Sequence, residues 1–208
     1  MKKEIQSTVH LLFPIPVYST FLEREFTSEE LNFVQEHKKE PHINTGNITS
    51  SNNYILNETP FLNLKNEINF IVSDYFNKII NPIENKITPY ITQSWLNYTE
   101  STQYHHTHEH PNSIVSGVLY INADEANDMI KFYNNYYETI KIQPKEYNIY
   151  NSKSWWFPVK TGQIVLFPSS TTHSVEVKKG DNTRISLAFN VFIKGTLGDN
   201  KDLTELFL

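Results

Sequence analysis

The stretch Ser113-Ile114-Val115-Ser116-Gly117-Val118-Leu119-Tyr120-Ile121 is rich in β-branched and aromatic residues and predicts a buried β-strand. Similar short runs recur through the second half of the chain, separated by turn residues. These further runs are residues 94–98, 129–133, 154–159, 163–167, 173–177 and 184–193. A series of short strands after a helical beginning predicts an α+β protein that is mainly β, with a jelly-roll core.

The N-terminal part of the chain has mixed patterns and predicts a helical support for that core. A helix is expected to begin at Thr27, whose hydroxyl precedes two acidic residues. Apolar residues at three- and four-residue steps predict a second helix over residues 60–80. Residues 11–18 contain two prolines and predict an edge strand. Residues 45–57 are rich in Asn and Ser and predict a loop.

The two parts of the chain are expected to form one integrated domain. Residues 1–93 would supply an N-terminal strand and the bracing helices, and residues 94–208 would supply the β core. Residues 134–152 have the weakest pattern of the β region, so they predict a long loop.

The composition limits the class of protein and its partners. The 208 residues include 18 basic and 23 acidic side chains, which gives a net charge of −5. A protein that coats nucleic acid would need a basic stripe, so nucleic acid is not an expected partner. The absence of cysteine excludes disulfides, thiolate metal sites and cysteine nucleophiles. With no signal-like or membrane-spanning pattern, the sequence predicts a soluble cytoplasmic protein.

Residues 104–111 (YHHTHEHP) contain four histidines and a glutamate, and they are the main candidate for a metal site. In an extended strand, His106, His108 and His110 would share one face, so two of them would chelate one ion. His173, in another β run, is the candidate third ligand. Imidazole with oxygen ligands suits zinc, iron, copper or nickel. The alternative is an exposed cluster that traps metal without a function.

The run Arg184-Ile185-Ser186-Leu187-Ala188-Phe189-Asn190 alternates between two faces, one polar and one apolar, as a half-buried strand does. Arg184 and Ser186 share the polar face. A rigid guanidinium beside a hydroxyl holds a carboxylate well, so this pair is a candidate anion site. The alternative is a surface arginine in a weak ion pair.

Several of these segments together resemble one family in their order and spacing. The segments are residues 13–18, 94–97, 108–121, 162–169 and 184–190, with His173. They are similar to the 2-oxoglutarate/iron(II) oxygenases of bacteria and phages, which are related to prolyl-4-hydroxylase-like dioxygenases. The most specific pieces are the His-Pro-Asn-Ser that begins at His110 and the Arg-x-Ser that begins at Arg184.

The resemblance implies a double-stranded β-helix, the cupin-like form of the jelly roll, with an iron(II) cofactor and 2-oxoglutarate as co-substrate. His108, His110 and His173 fall on the metal-ligand positions, which would make them the catalytic residues. The wider superfamily usually has a carboxylate where His110 stands, so the metal would keep its full double positive charge. This should strengthen 2-oxoglutarate binding and weaken metal retention at low pH. His106 is the alternative second ligand.

The resemblance also implies a binding site for 2-oxoglutarate. Arg184, with Ser186 beside it, falls where the C5 carboxylate of 2-oxoglutarate is bound. Tyr120 resembles a tyrosine that helps to hold that carboxylate. Asn97 and Asn190 are expected to line the same pocket.

The implied function is an iron(II)- and 2-oxoglutarate-dependent dioxygenase, here a hydroxylase of a small molecule or a peptide. The aromatic residues available to line the substrate entrance are Trp155, Trp156, Tyr133, Tyr136 and Tyr137. One alternative is a cupin-like three-histidine metalloenzyme that does not use 2-oxoglutarate, and the other is a non-catalytic jelly-roll protein. Edge strands and aromatic content would permit a homodimer. The expected location is the cytoplasm of a bacterium or of a phage-infected cell.

Overall fold

The computed structural model describes residues 5–84, 86–135, 140 and 142–208. Strand residues outnumber helical residues, 36% against 18%, so the protein is mainly β. The α-helices are α1 (Ser28–His37) and α2 (Leu62–Tyr75), and three shorter helical turns are the 3-10 turns Ile55–Asn57 and Thr59–Phe61 and the π-helical turn Phe76–Ile80. The strands are β1 (Tyr18–Phe21), β2 (Pro41–Ile43), β3 (Ile48–Ser50), β4 (Ile87–Thr99), β5 (His105–His108), β6 (Val115–Asn122), β7 (Met129–Tyr133), β8 (Ser154–Pro158), β9 (Gln163–Pro168), β10 (His173–Val175), β11 (Arg184–Leu197) and β12 (Leu206–Phe207).

The strands form two antiparallel sheets that pack face to face. In the larger sheet the order is β1-β9-β6-β11-β4-β3-β2, with β12 paired to β11. In the smaller sheet the order is β5-β10-β7-β8. Tyr120 and Phe167 of the larger sheet share an apolar cluster with Ile130 of the smaller one. This arrangement is a jelly roll, which confirms the predicted fold class.

The two faces of β11 have different surroundings. Ile185, Leu187 and Phe189 belong to the main apolar core, which also contains buried side chains of α2. Arg184 and Ser186 lie on the opposite face, because successive side chains of a strand alternate, and they line the interior between the sheets. The predicted alternation is confirmed, and the polar face turns toward the interior of the molecule.

Both predicted helices are present, and local sequence signals explain where they begin. The Thr27 hydroxyl accepts a hydrogen bond from the backbone N–H of Glu30, and the Glu30 carboxylate accepts one from that of Thr27. In α2, Leu64, Ile68 and Val72 recur every four residues and are buried in the main core. Neither helix in the described part of the chain has the length and apolar character of a membrane span. The support that the helices give to the β core stays a prediction.

The predicted edge strand over residues 11–18 is mostly wrong. Residues 11–17 form no strand, and β1 begins at Tyr18 and pairs with β9 at the edge of the larger sheet. Pro14 and Pro16 lack the backbone N–H that a strand ladder uses, so regular pairing starts only after them.

The predicted loop over residues 45–57 is wrong as well. β3 lies within it and pairs with β4, and Ile55 and Leu56 at its end are fully buried. The polar composition of the segment concealed this strand, because its pairing partner lies far along the chain. The described residues of 134–152 form no helix or strand, as predicted. The expected boundary between residues 93 and 94 falls inside β4.

Candidate metal centre

Three histidines converge between β5 and β10 of the smaller sheet. His108 ends β5, His110 follows two residues later, and His173 begins β10. β5 and β10 are hydrogen-bonded neighbours, and His173 is directly opposite His108 in their register. One ring nitrogen from each of the three histidines lies within 4.8 Å of the other two. The predicted metal ligands are therefore brought together, although they come from two separate parts of the sequence.

A β-bulge interrupts the strand pairing next to this group. The register between β5 and β10 shifts after His173, so Val175 is opposite His105 and not His106. His105 stacks on His108, with ring centroids 4.5 Å apart. The simple alternation that we expected to align His106, His108 and His110 is interrupted, and His106 is outside the converging group.

Hydrogen bonds orient the three imidazole rings in the same way. In each ring Nδ1 is bonded to a carbonyl-type oxygen, which accepts hydrogen bonds and does not donate them. The pairs are His108 with the backbone oxygen of His106 at 2.7 Å, His173 with that of Thr171 at 3.0 Å, and His110 with Asn190 Oδ1 at 2.6 Å. Nδ1 must therefore carry the proton in each ring, so each Nε2 has a free lone pair. This is the tautomer that metal-binding histidines adopt.

The free lone pairs make the group suitable for a cation. Nε2 of His108 and Nε2 of His110 are 3.0 Å apart. Two unprotonated nitrogens at this distance repel each other unless a positive charge lies between them. Three imidazole nitrogens suit a first-row divalent metal and leave further coordination positions for other ligands.

Burial keeps these rings neutral. Removal of the rings from water lowers the pKa of His108 to about 4 and that of His173 to about 3, and it also lowers the pKa of His110. Neighbouring histidines lower the pKa of His108 and His173 further, because their charges would repel. At neutral pH the three rings are therefore in the unprotonated form that a metal needs.

These shifts predict how the stability of the metal-free protein depends on pH. Because the folded pKa values lie below the unfolded value of about 6.5, the unfolded chain takes up protons first as the pH falls. The free energy of unfolding should fall between pH 6.5 and about 4, and the His173→Gln variant should lose less stability over this range. Urea unfolding of metal-free protein at several pH values measures the difference. The exposed His10→Gln variant is the matched control, and equal pH dependence in all three proteins would contradict the prediction.

A second set of predicted residues lines a cavity inside the jelly roll. Asn97, Tyr120, Arg184 and Ser186 line it together with all three histidines of the converging group. The strand register explains the grouping, because Ser186 of β11 is opposite both Asn97 of β4 and Tyr120 of β6. The sheet therefore places these side chains in the same cavity as the histidines.

The Arg184 guanidinium is buried without an acidic partner. The residue is 2% exposed, and Nη2 donates a hydrogen bond to Thr99 Oγ1 at 3.0 Å. In the described part of the chain it pairs with no carboxylate, since the nearby buried Asp128 is paired with Lys178 at 3.2 Å. Burial lowers the pKa of Arg184, which shows that the charge is poorly solvated. A buried cation of this kind needs an anion to balance it.

Two further polar groups of the cavity differ in what they offer an anion, because an amide oxygen only accepts hydrogen bonds and a hydroxyl donates one. Oδ1 of Asn97 is buried and has no hydrogen-bond partner among the described residues. The Tyr120 side chain is buried, which raises the pKa of its hydroxyl and keeps it a neutral donor. Asn190 was predicted for this pocket but does not line it. It lies four residues beyond Ser186 on β11, about 13 Å along the strand, and bonds His110 instead.

An open cleft of about 660 Å³ lies against the other side of the histidine group. Its lining includes polar and aromatic side chains from the N-terminal region and from β4, namely His42, Asn44, Thr49, Asn53, Tyr54, Gln93 and Trp95. No lysine or arginine of the described residues lines it, and the Glu109 carboxylate accepts a hydrogen bond from Thr172. Sequence reasoning missed these cleft residues, because most of them lie in the segment that we predicted to be a loop or just before it.

Of the aromatic residues predicted to line the substrate entrance, the three that the structure describes do not line this cleft. Tyr133 and Trp155 line a separate groove beside residues 11–17. Trp156 is on the edge strand β8 and is about half exposed, at 52%. The same prediction named Tyr136 and Tyr137, which lie outside the described residues. β8 is the outer strand of the smaller sheet, farthest in strand order from the β5 that carries His108.

Comparison with known proteins identifies the class of this site. Residues 93–190 match a family model described as "Putative 2OG-Fe(II) oxygenase", and this segment contains all three histidines and Arg184. This segment, a little under half of the chain, is similar to the 2-oxoglutarate/iron(II) oxygenase family. None of the curated proteins matches its sequence.

Solved structures show that this oxygenase shares its fold with distant proteins. An oxidoreductase of the 2OG-Fe(II) oxygenase family from Burkholderia pseudomallei is 12% identical, with 83% of each chain covered and a TM-score of 0.54. HygX from Streptomyces hygroscopicus, crystallised with nickel and 2-oxoglutarate, is 8% identical, with 85% of this chain and 82% of that chain covered and a TM-score of 0.54. The viral collagen prolyl hydroxylase of Paramecium bursaria Chlorella virus-1 is 12% identical, with 84% and 94% covered and a TM-score of 0.51.

The family assignment confirms the predicted class of enzyme and its cofactors. The oxygenase is an oxidoreductase of the iron(II)- and 2-oxoglutarate-dependent class, which acts on small molecules or peptides. The neighbours support the jelly-roll fold alone, since their identities are far too low to transfer a substrate.

Proposed function

We propose that this oxygenase is a hydroxylase in which His108, His110 and His173 hold iron(II) and Arg184 anchors 2-oxoglutarate. The observation that carries the proposal is a single cavity with two complementary features. Its lining includes all three histidines of the group, and it also includes a buried guanidinium without an acidic partner among the described residues. A molecule with a metal-chelating end and a distant carboxylate satisfies both, and 2-oxoglutarate is such a molecule.

Arg184 would bind the C5 carboxylate of 2-oxoglutarate through its guanidinium fork. Thr99 already accepts a hydrogen bond from Nη2 of Arg184, which fixes the orientation of the fork. Ser186 and Tyr120 lie opposite each other in the strand register and offer hydroxyl donors to the same carboxylate. Asn97 would contribute only through its amide Nδ2, because its Oδ1, which has no partner among the described residues, is an acceptor and does not bind a carboxylate. We propose these residues as the 2-oxoglutarate site.

Iron(II), when bound, supplies the position at which dioxygen oxidises 2-oxoglutarate to succinate and carbon dioxide and inserts the second oxygen atom into a C–H bond of the substrate. The protein's own residues position the reactants and exclude water. Tyr120, Phe167 and Ile130 close the inner cavity with apolar surface, so the co-substrate is shielded there. The open cleft beside His108 and His110 is the proposed entrance for the hydroxylated substrate.

The charges of the site fit a dianionic co-substrate. Three neutral imidazoles leave the metal with a double positive charge, and Arg184 adds one more at the far end of the cavity. A carboxylate ligand would have cancelled part of that charge. We therefore propose that His110 in place of a carboxylate makes the centre depend more strongly on 2-oxoglutarate for charge balance.

An anaerobic titration tests the proposed function. Addition of iron(II) and then 2-oxoglutarate to metal-free protein should produce a weak visible metal-to-ligand charge-transfer band that needs both components. The band should be absent in the His173→Ala variant, which loses one of three ligands, and present in the His10→Gln control. Iron binding without the band would favour the cupin-like enzyme that does not use 2-oxoglutarate, and absence of iron binding would favour a non-catalytic jelly-roll protein.

We also propose that the substrate is not a nucleic acid, that the protein is cytoplasmic and that it forms a homodimer. The lack of a cationic lining in the cleft supports a substrate other than nucleic acid. The cytoplasmic location and a homodimer formed through the edge strands stay predictions.

A further inference from the structure

The ligand His110 lies outside regular structure, so other groups must hold it in place. β5 ends at His108, two residues earlier. The backbone N–H of His110 donates to the backbone oxygen of Ser169 at 3.1 Å, and the backbone N–H of Ser169 donates to that of Ile114 at 3.0 Å. These bonds fix the main chain of His110, while its ring orientation depends on side chains.

A chain of serine hydroxyls has a direction that can be derived by counting protons. Ser113 Oγ donates to the backbone oxygen of Val115 at 3.0 Å, so it accepts from Ser169 Oγ at 2.8 Å. Ser169 has then used its only proton, and therefore accepts from Ser116 Oγ at 2.8 Å. The other acceptor near the Ser116 hydroxyl, Asn190 Oδ1, is farther away at 3.5 Å, so Ser116 gives its proton to Ser169 and its oxygen is left as an acceptor 2.9 Å from His110 Nδ1.

Asn190 supplies the shorter of the two contacts to the same ring nitrogen. Its Oδ1 is 2.6 Å from His110 Nδ1, and the residue is 9% exposed. The register of β11 with β4 shifts between Asn190 and Val191, so Thr92 is an extra residue on β4. Thr92 Oγ1 donates to the backbone oxygen of Asn190 at 3.2 Å. Such a bulge re-aims neighbouring side chains, and here it lies where Asn190 contacts His110.

We propose that Asn190 is a positioning residue for His110, and that the Ser116–Ser169–Ser113 chain supports it. Asn190 Oδ1 and Ser116 Oγ together accept the Nδ1 proton, which fixes the tautomer and aims Nε2 at the metal. This proposal rests on His110 being a metal ligand, as argued under the proposed function. The proposal also gives a physical role to Asn190 and to the serines of the chain. None of these residues belongs to the proposed 2-oxoglutarate site.

Two nearly isosteric substitutions separate positioning from packing. Asn190→Leu keeps the size of the side chain and removes the acceptor, whereas Asn190→Asp keeps an acceptor and strengthens it with a charge. Nickel(II), which does not change its oxidation state here, is the probe, and its dissociation constant is measured by competition with a chelator. We expect Asn190→Leu to weaken nickel binding about 10- to 100-fold, and Asn190→Asp to bind at least as tightly as the unchanged protein. Ser116→Ala should show a smaller loss.

A spectrum gives a second readout that packing alone would not move. The visible bands of the cobalt(II)-loaded Asn190→Leu protein should shift toward those of His110→Ala, and those of Asn190→Asp should not. Two results would overturn the positioning role and leave the metal site intact. One is equal nickel affinity in all the proteins. The other is an equal loss of affinity in both Asn190 variants that follows the fall in their melting temperatures. Failure of the unchanged protein to bind nickel or cobalt would overturn the metal assignment and this inference with it.

Discussion

The 2-oxoglutarate concentration that half-saturates the iron(II) protein is expected to rise about 100-fold when Arg184 is replaced by methionine. Arg184 is 2% exposed and pairs with no carboxylate of the described residues, so the bound co-substrate would supply its counter-ion. Loss of one partner of a buried, hydrogen-bonded charge pair costs about 3 kcal/mol, and this free energy corresponds to a change of about 100-fold in the half-saturating concentration. The charge-transfer band in the anaerobic titration measures it.

Two further variants make this result specific. Arg184→Lys keeps the charge and loses the planar fork, so its half-saturation should lie between those of the unchanged protein and Arg184→Met. Arg24→Met removes an arginine that pairs with Glu30 and Glu67 in the helical region, and should leave 2-oxoglutarate affinity unchanged. Iron(II) affinity should be similar in all of them. Unchanged half-saturation in Arg184→Met would show that the carboxylate is bound elsewhere.

A chain that starts at residue 94 is expected to be insoluble and to show no cooperative unfolding. The cut removes both helices, three strands of the larger sheet and the first half of β4. It also uncovers the outer face of β11, where Leu187 and Phe189 are fully buried. Burial of each large apolar side chain contributes about 2 kcal/mol, and the net stability of a domain is only about 5–15 kcal/mol. We therefore propose that residues 1–93 and 94–208 form one cooperative domain.

Matched variants distinguish the loss of the helices from the loss of half a strand. A chain that starts at residue 87 keeps β4 complete and should still fail to fold. In the full chain, Ile68→Ala should lower the free energy of unfolding by about 2–5 kcal/mol, since Ile68 is fully buried in α2. Phe70→Ala, two residues later and 78% exposed, should change it little. A soluble chain from residue 94 with a sharp thermal transition would contradict the bracing role.

Patterns that depend on one strand or one helix were predictable from the sequence. The alternation from Arg184 to Asn190 and the four-residue spacing of Leu64, Ile68 and Val72 each follow from local geometry, and both appear in the structure. The jelly-roll class followed from the repeated short strands. The position of His173 in another β run made it a candidate third ligand for the histidine cluster. The resemblance then placed His173 on a metal-ligand position.

Features that depend on pairing between distant segments were not predictable. The bulge that places His105, and not His106, opposite Val175 arises from the register between β5 and β10. β3 has few apolar residues, and it forms because β4 offers an edge for it. The cleft beside the histidines combines such segments: the sequence favoured Trp155 for the substrate entrance, whereas Tyr54 and Trp95 line the cleft that we propose as that entrance.

The two-sided character of β11 has a consequence for how this protein tolerates mutation. Alternate residues of one strand face the core and the inner cavity, so a backbone shift that repairs packing at Leu187 also displaces its neighbours Ser186 and Ala188. Most proteins can adjust a strand to absorb a core substitution because the opposite face meets only water. Here that freedom is missing, and β11 should accept fewer substitutions in a mutational scan than any other strand of the larger sheet, with folding and catalysis lost together.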